Sequence, residues 1–517
     1  MLARCSGAAL IGLEAREVSV EVDIAPGLPA LVVVGLADAA VQESRERVRS
    51  ALRNSNFRLP LSRVIVSLAP ADLRKEGPAF DLPIALALLA ASDQLPPAWL
   101  QGIWCAGELG LDGHLRPIRG ALPLAMAAQR CGARALLLPE SNHAEASLVD
   151  GLQLLPASNL KTALQALDPQ QPRSAAAPAR TDSHSADPIT GGSDLSELQG
   201  QAHGRRALEL AAAGGHHLLL VGPPGSGKTM LARCLSGILP PLHRDEQLEI
   251  TQLYSVAGLL PERVGLMRQR PFRAPHHSCT GAALIGSGAT PRPGELVLAH
   301  RGVLFLDELA EFRRDVLNQL RQPLEQGEIW LSRARLRVHF PCAFSLIAAT
   351  NPCPCGWSGD PERHCQCSIS QRQRYWSKLS GPLLDRIDLQ VVMQRLPAAE
   401  LGRSYRRPAD ATVPESSQAV AARVLHARQR MLQRNPGGIT NQQLSPQQLR
   451  QGAQLTAEAL RLWEQAVDQR RLSARSAHRL LRVARTIADL DAQGAVGAGA
   501  IAEALSYRSF DLPTQGG

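Results

Sequence analysis

The sequence predicts an α/β chain in which a parallel-sheet core lies between a mixed α+β N-terminal domain and a C-terminal helical lid. Three observations lead there. Short apolar strands at His217–Val221, Val303–Leu306 and Ser345–Ala349 recur with helical stretches between them, which is the βαβ rhythm of a parallel sheet. Residues 169–193, PQQPRSAAAPARTDSHSADPITGGS, are rich in Pro, Ala, Ser and Gly and have no apolar period, so they read as an exposed linker. Near the C-terminus, Leu480, Leu481, Ala484 and Ile487 recur at helical spacing within Ser445–Arg508.

Taken in order, residues 1–168 form the first domain, with strands at Ala30–Val34 and Val64–Leu68 and helices at Val41–Asn54 and Ala121–Cys131. The linker covers 169–194. The core covers 195–395 and begins with a helix over Gly200–Ala213. Residues 396–440 form a loosely helical connection with proline interruptions, and 441–510 form the lid.

A chain of 517 residues supports several domains, each able to bury a core. Its 44% hydrophobic and 20% charged content is that of a soluble globular protein. The net charge of +9 leans toward polyanionic partners, although an ordinary basic surface accounts for it equally well. Only four of the 56 basic residues are lysines, Lys75, Lys161, Lys228 and Lys378, so a lysine that survives this bias suggests a need for an ammonium group. No apolar run reaches the roughly 18 residues of a membrane span. The start, MLARCSGAALIGLEAREVS, soon turns charged and strand-like and reads as structure instead of a signal peptide. Six of the 10 cysteines are scattered, as suits a reducing, cytoplasmic setting.

The most specific motif is Gly222-Pro223-Pro224-Gly225-Ser226-Gly227-Lys228-Thr229, set after an apolar strand and before a helix. Its glycines let backbone N–H groups converge on phosphate oxygens, and the helix N-terminus adds partial positive charge. Lys228 is expected to reach the β and γ phosphates of ATP, and Thr229 to ligate Mg²⁺. A second strand ends in Asp307-Glu308. Asp307 can hold the Mg²⁺ shell and Glu308 can deprotonate the attacking water, at the strand end where ligands of parallel sheets bind. Asn351 ends a third strand, where its amide can bond the γ-phosphate or that water. Arg386, alone in LSGPLLDRIDL, is either a surface ion-pair partner or an arginine finger for a neighbouring subunit.

Directly after Asn351 come Cys353, Cys355, Cys365 and Cys367. Paired Cys-x-Cys units around a polar insert can give four thiolates to a structural zinc, with His364 as a spare ligand. Zinc leads free thiols, and disulfides come last in a reducing compartment. Such a clip would brace the Asn351 loop. His276 and His277, in RAPHHS, are read as shaping the loop before the acidic strand, with no catalytic role.

The wording PFRAPHHSCTGAALIGSGATPRPGELVLAHRGVLFLDELAEF, with Gly222–Thr229, Asn351 and LSGPLLDRIDL, resembles the magnesium-chelatase-like ComM/YifB family of AAA+ ATPases. The resemblance covers nearly the whole chain. It implies a hexameric ring ATPase whose sites are shared between neighbours and which acts on single-stranded or branched DNA, as a helicase driving branch migration in natural transformation or recombination. It gives Asp307 the Mg²⁺, Glu308 the catalytic base, Asn351 the first sensor and Arg386 the finger supplied by a neighbour. Arg475 best matches the second sensor, with Arg479 one turn later. The related magnesium chelatase motor, and a ring scaffold that binds ATP without turnover, are the alternatives.

The first domain resembles the Lon protease fold, with a departure. KEGPAFDLP puts Ala79 where the family has its serine, and the family lysine falls near Leu122. Without nucleophile and base there is no covalent peptide hydrolysis, so the domain is expected to be non-proteolytic. In GEIWLSRARLRVHF, alternation puts Arg333, Arg335, Arg337 and His339 on one face. That face is either simply solvated or, as the resemblance implies, part of a pore hairpin on which Arg333 and Arg335 bind the DNA backbone. Trp330 is the one nearby aromatic.

Overall fold

The computed structural model describes residues 2–170, 193–261, 265–286, 291–333, 336–360, 362–379, 381–397 and 415–508. Most of the expected linker lies outside these residues, as does Arg335, and the side chain of Arg333 is likewise not described.

The expected α/β architecture is observed. The N-terminal domain is built on β1 (Leu2–Ile11), β2 (Glu14–Ala25), β3 (Ala30–Val34), β4 (Arg63–Ala69) and β5 (Ile103–Cys105), with a small ribbon of β6 (Glu108–Leu109) and β7 (Leu115–Arg116), then β8 (Ala135–Pro139) and β9 (Gln153–Ala157). Seven of these strands form one mixed sheet in the order β3-β4-β2-β1-β5-β8-β9. β1 and β2 pair antiparallel around a two-residue turn, and Gly12 takes φ +62 there, which glycine adopts at little cost. The Asp81–Ala91 helix crosses β1 and β2 with every residue buried, as a helix apolar on all sides must be.

The core sheet runs in the order β11 (Phe272–Arg273), β12 (Val303–Leu306), β15 (Ser345–Thr350), β10 (Leu218–Val221), β16 (Leu389–Val392), and every pairing is parallel. β10 and β12 are buried throughout, which is why they read as unbroken apolar runs. The two-residue period still sorts them. Leu218 and Leu220 join the cluster shared with the lid, while Leu219 and Val221 join the opposite cluster around Ile250 and Leu253. The antiparallel hairpin β13 (Glu328–Arg333) and β14 (Leu336–Pro341) stands apart from this sheet.

Helices Ser417–Arg434, Pro446–Gly452, Ala457–Gln469, Ala474–Leu490 and Ala498–Ser506 follow. The first lies in the stretch read as an interrupted connection. Its prolines, at 397, 408, 414 and 436, bracket a continuous 18-residue helix instead of breaking it, consistent with proline being tolerated outside a helix interior. No described helix is long and apolar enough to cross a membrane.

The N-terminal domain is hydrogen-bonded to the core. The Gly120 N–H donates to the Ser255 carbonyl (3.0 Å), and the Gln252 amide donates to the Leu13 carbonyl (2.7 Å). The β1–β2 turn also reaches the hairpin: a Cβ on Gly12 would stand 2.4 Å from a Val338 methyl.

A buried ionic network holds the lid. Arg485, 1% exposed, donates to the Asp489 carboxylate (3.0 Å) and to the Gln493 (2.6 Å) and Gly494 (2.7 Å) carbonyls. Asp489 also accepts from Asn441 (2.8 Å) and pairs with Arg434. Asp489→Ala would leave the Arg485 charge buried without its counter-ion, and should lower stability by about 3 kcal/mol or more. The shift should appear in urea denaturation followed by circular dichroism.

Candidate active site

The strand polarity gathers the phosphate motif, the acidic pair and Asn351 at one edge. β10 delivers Gly222–Gly227 at its C-terminal end, and the Lys228–Ile238 helix starts immediately after. Gly225 and Gly227 take φ +78 and +86, so the loop's curl depends on glycine at these positions. At Gly222 the demand is space, because a Cβ would lie 2.5 Å from the Met393 carbonyl oxygen. Lys228 is buried and its amine turns back on the loop, donating to the Gly222 (2.7 Å) and Pro223 (2.9 Å) carbonyls and approaching Asn351 Oδ1 (3.4 Å). Burial pushes that amine below the usual lysine range, against the opposing pull of Asp307 and Glu308. A phosphate offered here would replace weak carbonyl acceptors with a charged one.

Thr229 Oγ1 donates to Asp307 Oδ2 at 2.9 Å. Two cis ligands of an octahedral Mg²⁺ with bonds of about 2.1 Å stand roughly 3 Å apart, so these oxygens fit one ion. The other Asp307 oxygen accepts the Glu308 N–H (2.9 Å). Glu308 sits in the left-handed region, φ 52 and ψ 46, a conformation that costs a non-glycine residue energy and is concentrated at functional sites. Its Oε2 meets His277 Nδ1 at 3.0 Å. The histidine that the sequence left without a role therefore touches the acidic pair. Asn351 follows β15, where Val221 pairs with Thr350, and this register brings it beside the loop.

The four clustered cysteines do converge. Cys353 Sγ is 3.3 Å from Cys355 and 3.6 Å from Cys365, Cys355 and Cys365 are 3.6 Å apart, and all four sulfurs including Cys367 lie within 4.8 Å of one another. Four thiolates about 2.3 Å from a tetrahedral zinc would be separated by just under 4 Å, so the donor set fits. His364 is exposed and outside the group. Burial pushes the Cys353 thiol up to about 12; the Cys355 thiol, which burial alone would raise, is held at about 6 by the Trp357 N–H and the Cys353 side chain. The cluster leans on the phosphate loop: a Cβ on Gly356, φ +84, would come within 2.8 Å of the Pro224 ring.

The two predicted arginines lie elsewhere. Arg386 precedes β16 and is 9% exposed, with Nη2 2.6 Å from Glu325. Arg475, 72% exposed, approaches the same carboxylate at 3.5 Å. Arg479 approaches Asp388 at 3.8 Å. Asp388, which burial alone would raise, is held well below the usual carboxylate range by His216. Since β10 and β16 are parallel, these groups mark the sheet edge opposite Lys228. A cavity of about 590 Å³ opens there, lined by Arg270, Arg301, Arg428, Arg475, Arg479 and Arg482 against Glu246 and Glu325. Arg479 Nη1 and Arg482 Nε are buried without acceptors among the described residues. This edge carries an excess of cationic groups.

In the N-terminal domain, Ala79 is partly buried in a short turn and Leu122 is 1% exposed within the core. Both positions carry aliphatic side chains only. Lys75, also buried, spends its amine on the Pro70 carbonyl.

Residues 194–401 match the family described as magnesium chelatase, subunit ChlI; residues 20–142 match subunit ChlI of Mg-chelatase; and residues 414–508 match its C-terminal family. The chain is 43% identical over 510 residues to the uncharacterized protein YifB of Escherichia coli, covering 97% of this chain and 96% of YifB. It is 42% identical over 509 residues to competence protein ComM of Haemophilus influenzae, at the same coverage. A shorter similarity, 28% over 186 residues, links 31% of the chain to Lon protease 2 of Bacillus subtilis, covering 32% of that protein.

The contact between the cysteine loop and Pro224 makes a specific expectation. Gly356→Ala should weaken nucleotide binding by about tenfold, equivalent to about 1.4 kcal/mol, in a titration with a fluorescent ATP analogue. An unchanged Kd with an intact fold would show that the loop does not depend on that contact.

Proposed function

The chain belongs to the family of YifB and competence protein ComM, and from that premise we propose that it is an ATP-hydrolysing ring motor acting on DNA, with helicase or branch-migration activity. The observation that carries the ATPase reading is the convergence of Lys228, Thr229, Asp307, Glu308 and Asn351 at one sheet edge. Lys228 exchanges its carbonyl acceptors for phosphate oxygens, and the Asn351 amide orients the γ-phosphate or the water beside it. Thr229 and Asp307 hold Mg²⁺, which when bound neutralises charge on the phosphates. Glu308 accepts the proton of the attacking water.

Arg386 and Arg475 complete the neighbour's site. Their place at the edge opposite Lys228 supports this division, because a finger supplied between subunits need not approach its own chain's nucleotide. In the single chain Glu325 holds both; docking of a nucleotide-loaded neighbour offers the guanidinium groups a triphosphate in its place. The ring is taken as hexameric by resemblance.

The DNA reading rests on the hairpin of β13 and β14 and on the name of the ComM relative. Val338 and Phe340 anchor the hairpin in the core, while Arg337 and His339 are exposed. Arg337 lies over the Trp330 ring at 4.5 Å. We assign the phosphate contacts to Arg333 and Arg335. The chelatase family matches favour a second reading, a metal-insertion motor, whose turnover would respond to tetrapyrrole-handling partners and ignore DNA. The four thiolates hold a structural zinc that braces the Asn351 and Pro224 side of the cleft.

Turnover should rise with DNA and fall steeply with salt, and Arg333→Ala with Arg335→Ala should lose that response while keeping basal turnover. Glu308→Gln should retain ATP and lose kcat by about 100-fold or more. Arg386→Ala should be similarly inactive, but mixing the two inactive chains should restore part of the turnover by forming sites with both groups intact. No DNA response in the unaltered chain would sink the motor-on-DNA reading; no recovery on mixing would sink the shared site.

Elemental analysis of chain purified without chelators should find one zinc per chain. Cys355→Ser with Cys365→Ser should carry none, with turnover lowered roughly 10- to 100-fold through misplacement of the cleft. Full turnover without metal would remove the clip.

A further inference from the structure

His276 and His277 lie in the loop that follows β11, next to the end of β12 that carries the acidic pair. The His277 imidazole is held from two sides. The His276 ring lies 4.1 Å away, and Phe312 meets it edge-on at 6.5 Å. His276 is itself tied to Ser278, with Nδ1 2.8 Å from Oγ. The ring is thus fixed before it reaches Glu308, whose Oε2 stands 3.0 Å from His277 Nδ1.

Glu308 needs such a partner. Its backbone is pinned by the left-handed turn, by its N–H on Asp307 Oδ1 (2.9 Å) and by its carbonyl accepting from the Glu311 N–H (2.7 Å). Its side chain is 53% exposed, and among the described residues its carboxylate has the ion-pair contact with His277 and no recorded hydrogen bond. A glutamate has three side-chain torsions, and an exposed one samples many rotamers. A general base must instead keep an oxygen within hydrogen-bond reach of the proton it takes.

We propose that His277 is a positioning residue for ATP hydrolysis: its Nδ1–H anchors one carboxylate oxygen of Glu308 and leaves the other free to accept the proton of the attacking water. The inference rests on the reading of this cleft as an ATPase site. His277 makes no contact with Lys228, Thr229 or Asp307 among the described hydrogen bonds, so its loss should act on the chemical step and spare nucleotide binding. Energetically, the imidazole substitutes a fixed geometry for a search over rotamers at the moment of reaction.

Steady-state ATPase kinetics on the full chain test this with three variants. His277→Phe keeps the ring and its packing on Phe312 but has no donor. His277→Ala removes both. His277→Asn keeps an N–H donor near the Nδ1 position. His277→Phe and His277→Ala should lower kcat by about tenfold or more, with KM for ATP and the Kd of a non-hydrolysable analogue within about twofold, and His277→Asn should recover most of the loss. Should His277→Ala fail to fold, His277→Phe carries the comparison. Wild-type kcat in His277→Phe, a loss confined to KM, or a loss that His277→Asn shares in full would each overturn the proposal. No ATP turnover in the unaltered chain is a different failure, that of the ATPase reading itself.

Discussion

Because β10, β11, β12, β15 and β16 all run in one direction, the core has two chemically different edges. Every C-terminal strand end opens on the same side, and that side collects Lys228, Asp307, Glu308 and Asn351. Every N-terminal end opens on the other, which collects Arg386, Arg479 and the arginine-lined cavity. An antiparallel sheet would interleave the two sets. The parallel one separates an edge carrying the glycine loop, Lys228 and the acidic pair from an edge rich in guanidinium groups. On the shared-site reading proposed above, two copies placed edge to edge would be electrostatically complementary once nucleotide is bound. Glu325, shared by Arg386 and Arg475, keeps that cationic edge partly neutralised in the single chain.

The Lys228 edge is held by restraints that differ in kind. Glycine conformations at 225 and 227 shape the loop from within. The cysteine loop presses on Pro224 from outside. Trp376 ties the loop down by donating to the Pro352 carbonyl (3.0 Å), and the Tyr375 hydroxyl meets Thr350 (3.2 Å) at the end of β15. Glu308 has a strained backbone and an imidazole partner. Each restraint reduces the freedom of a group that must be aimed, which is where a binding site gains from rigidity.

Much of this was legible in the sequence, for a physical reason. Strands buried on both faces must be apolar throughout, so Val303–Leu306 could be located to the residue. The phosphate loop shows itself because glycine is nearly obligatory at its positive-φ positions. The four cysteines announced their convergence by spacing. What stayed hidden were pairings between distant, polar segments. Neither His277 nor Glu325 has a periodic or compositional mark, and their partners become apparent only when the sheet brings separate loops together. The helix Ser417–Arg434 was obscured differently, since its flanking prolines looked like interruptions until its true limits placed them outside. The non-proteolytic reading of the first domain depended only on what Ala79 and Leu122 lack, a nucleophile and an amine, and stays an expectation drawn from those two residues.

The first domain is no free appendage. Its β1–β2 turn is bonded to the Arg244–Ala257 helix through Gln252, and Gly12 lies against Val338 midway along the β13–β14 hairpin. That hairpin also stands within the core's second apolar cluster through Ile329, Val338 and Phe340, the cluster that receives Leu306 of β12 and Leu346 of β15. One packed body therefore joins the acidic strand end, the hairpin and the N-terminal domain. Packed interiors move by discrete rearrangement and do not stretch. A shift of β12 would thus reach the hairpin as a rigid displacement and carry the N-terminal domain with it through the contacts at Gln252 and Val338.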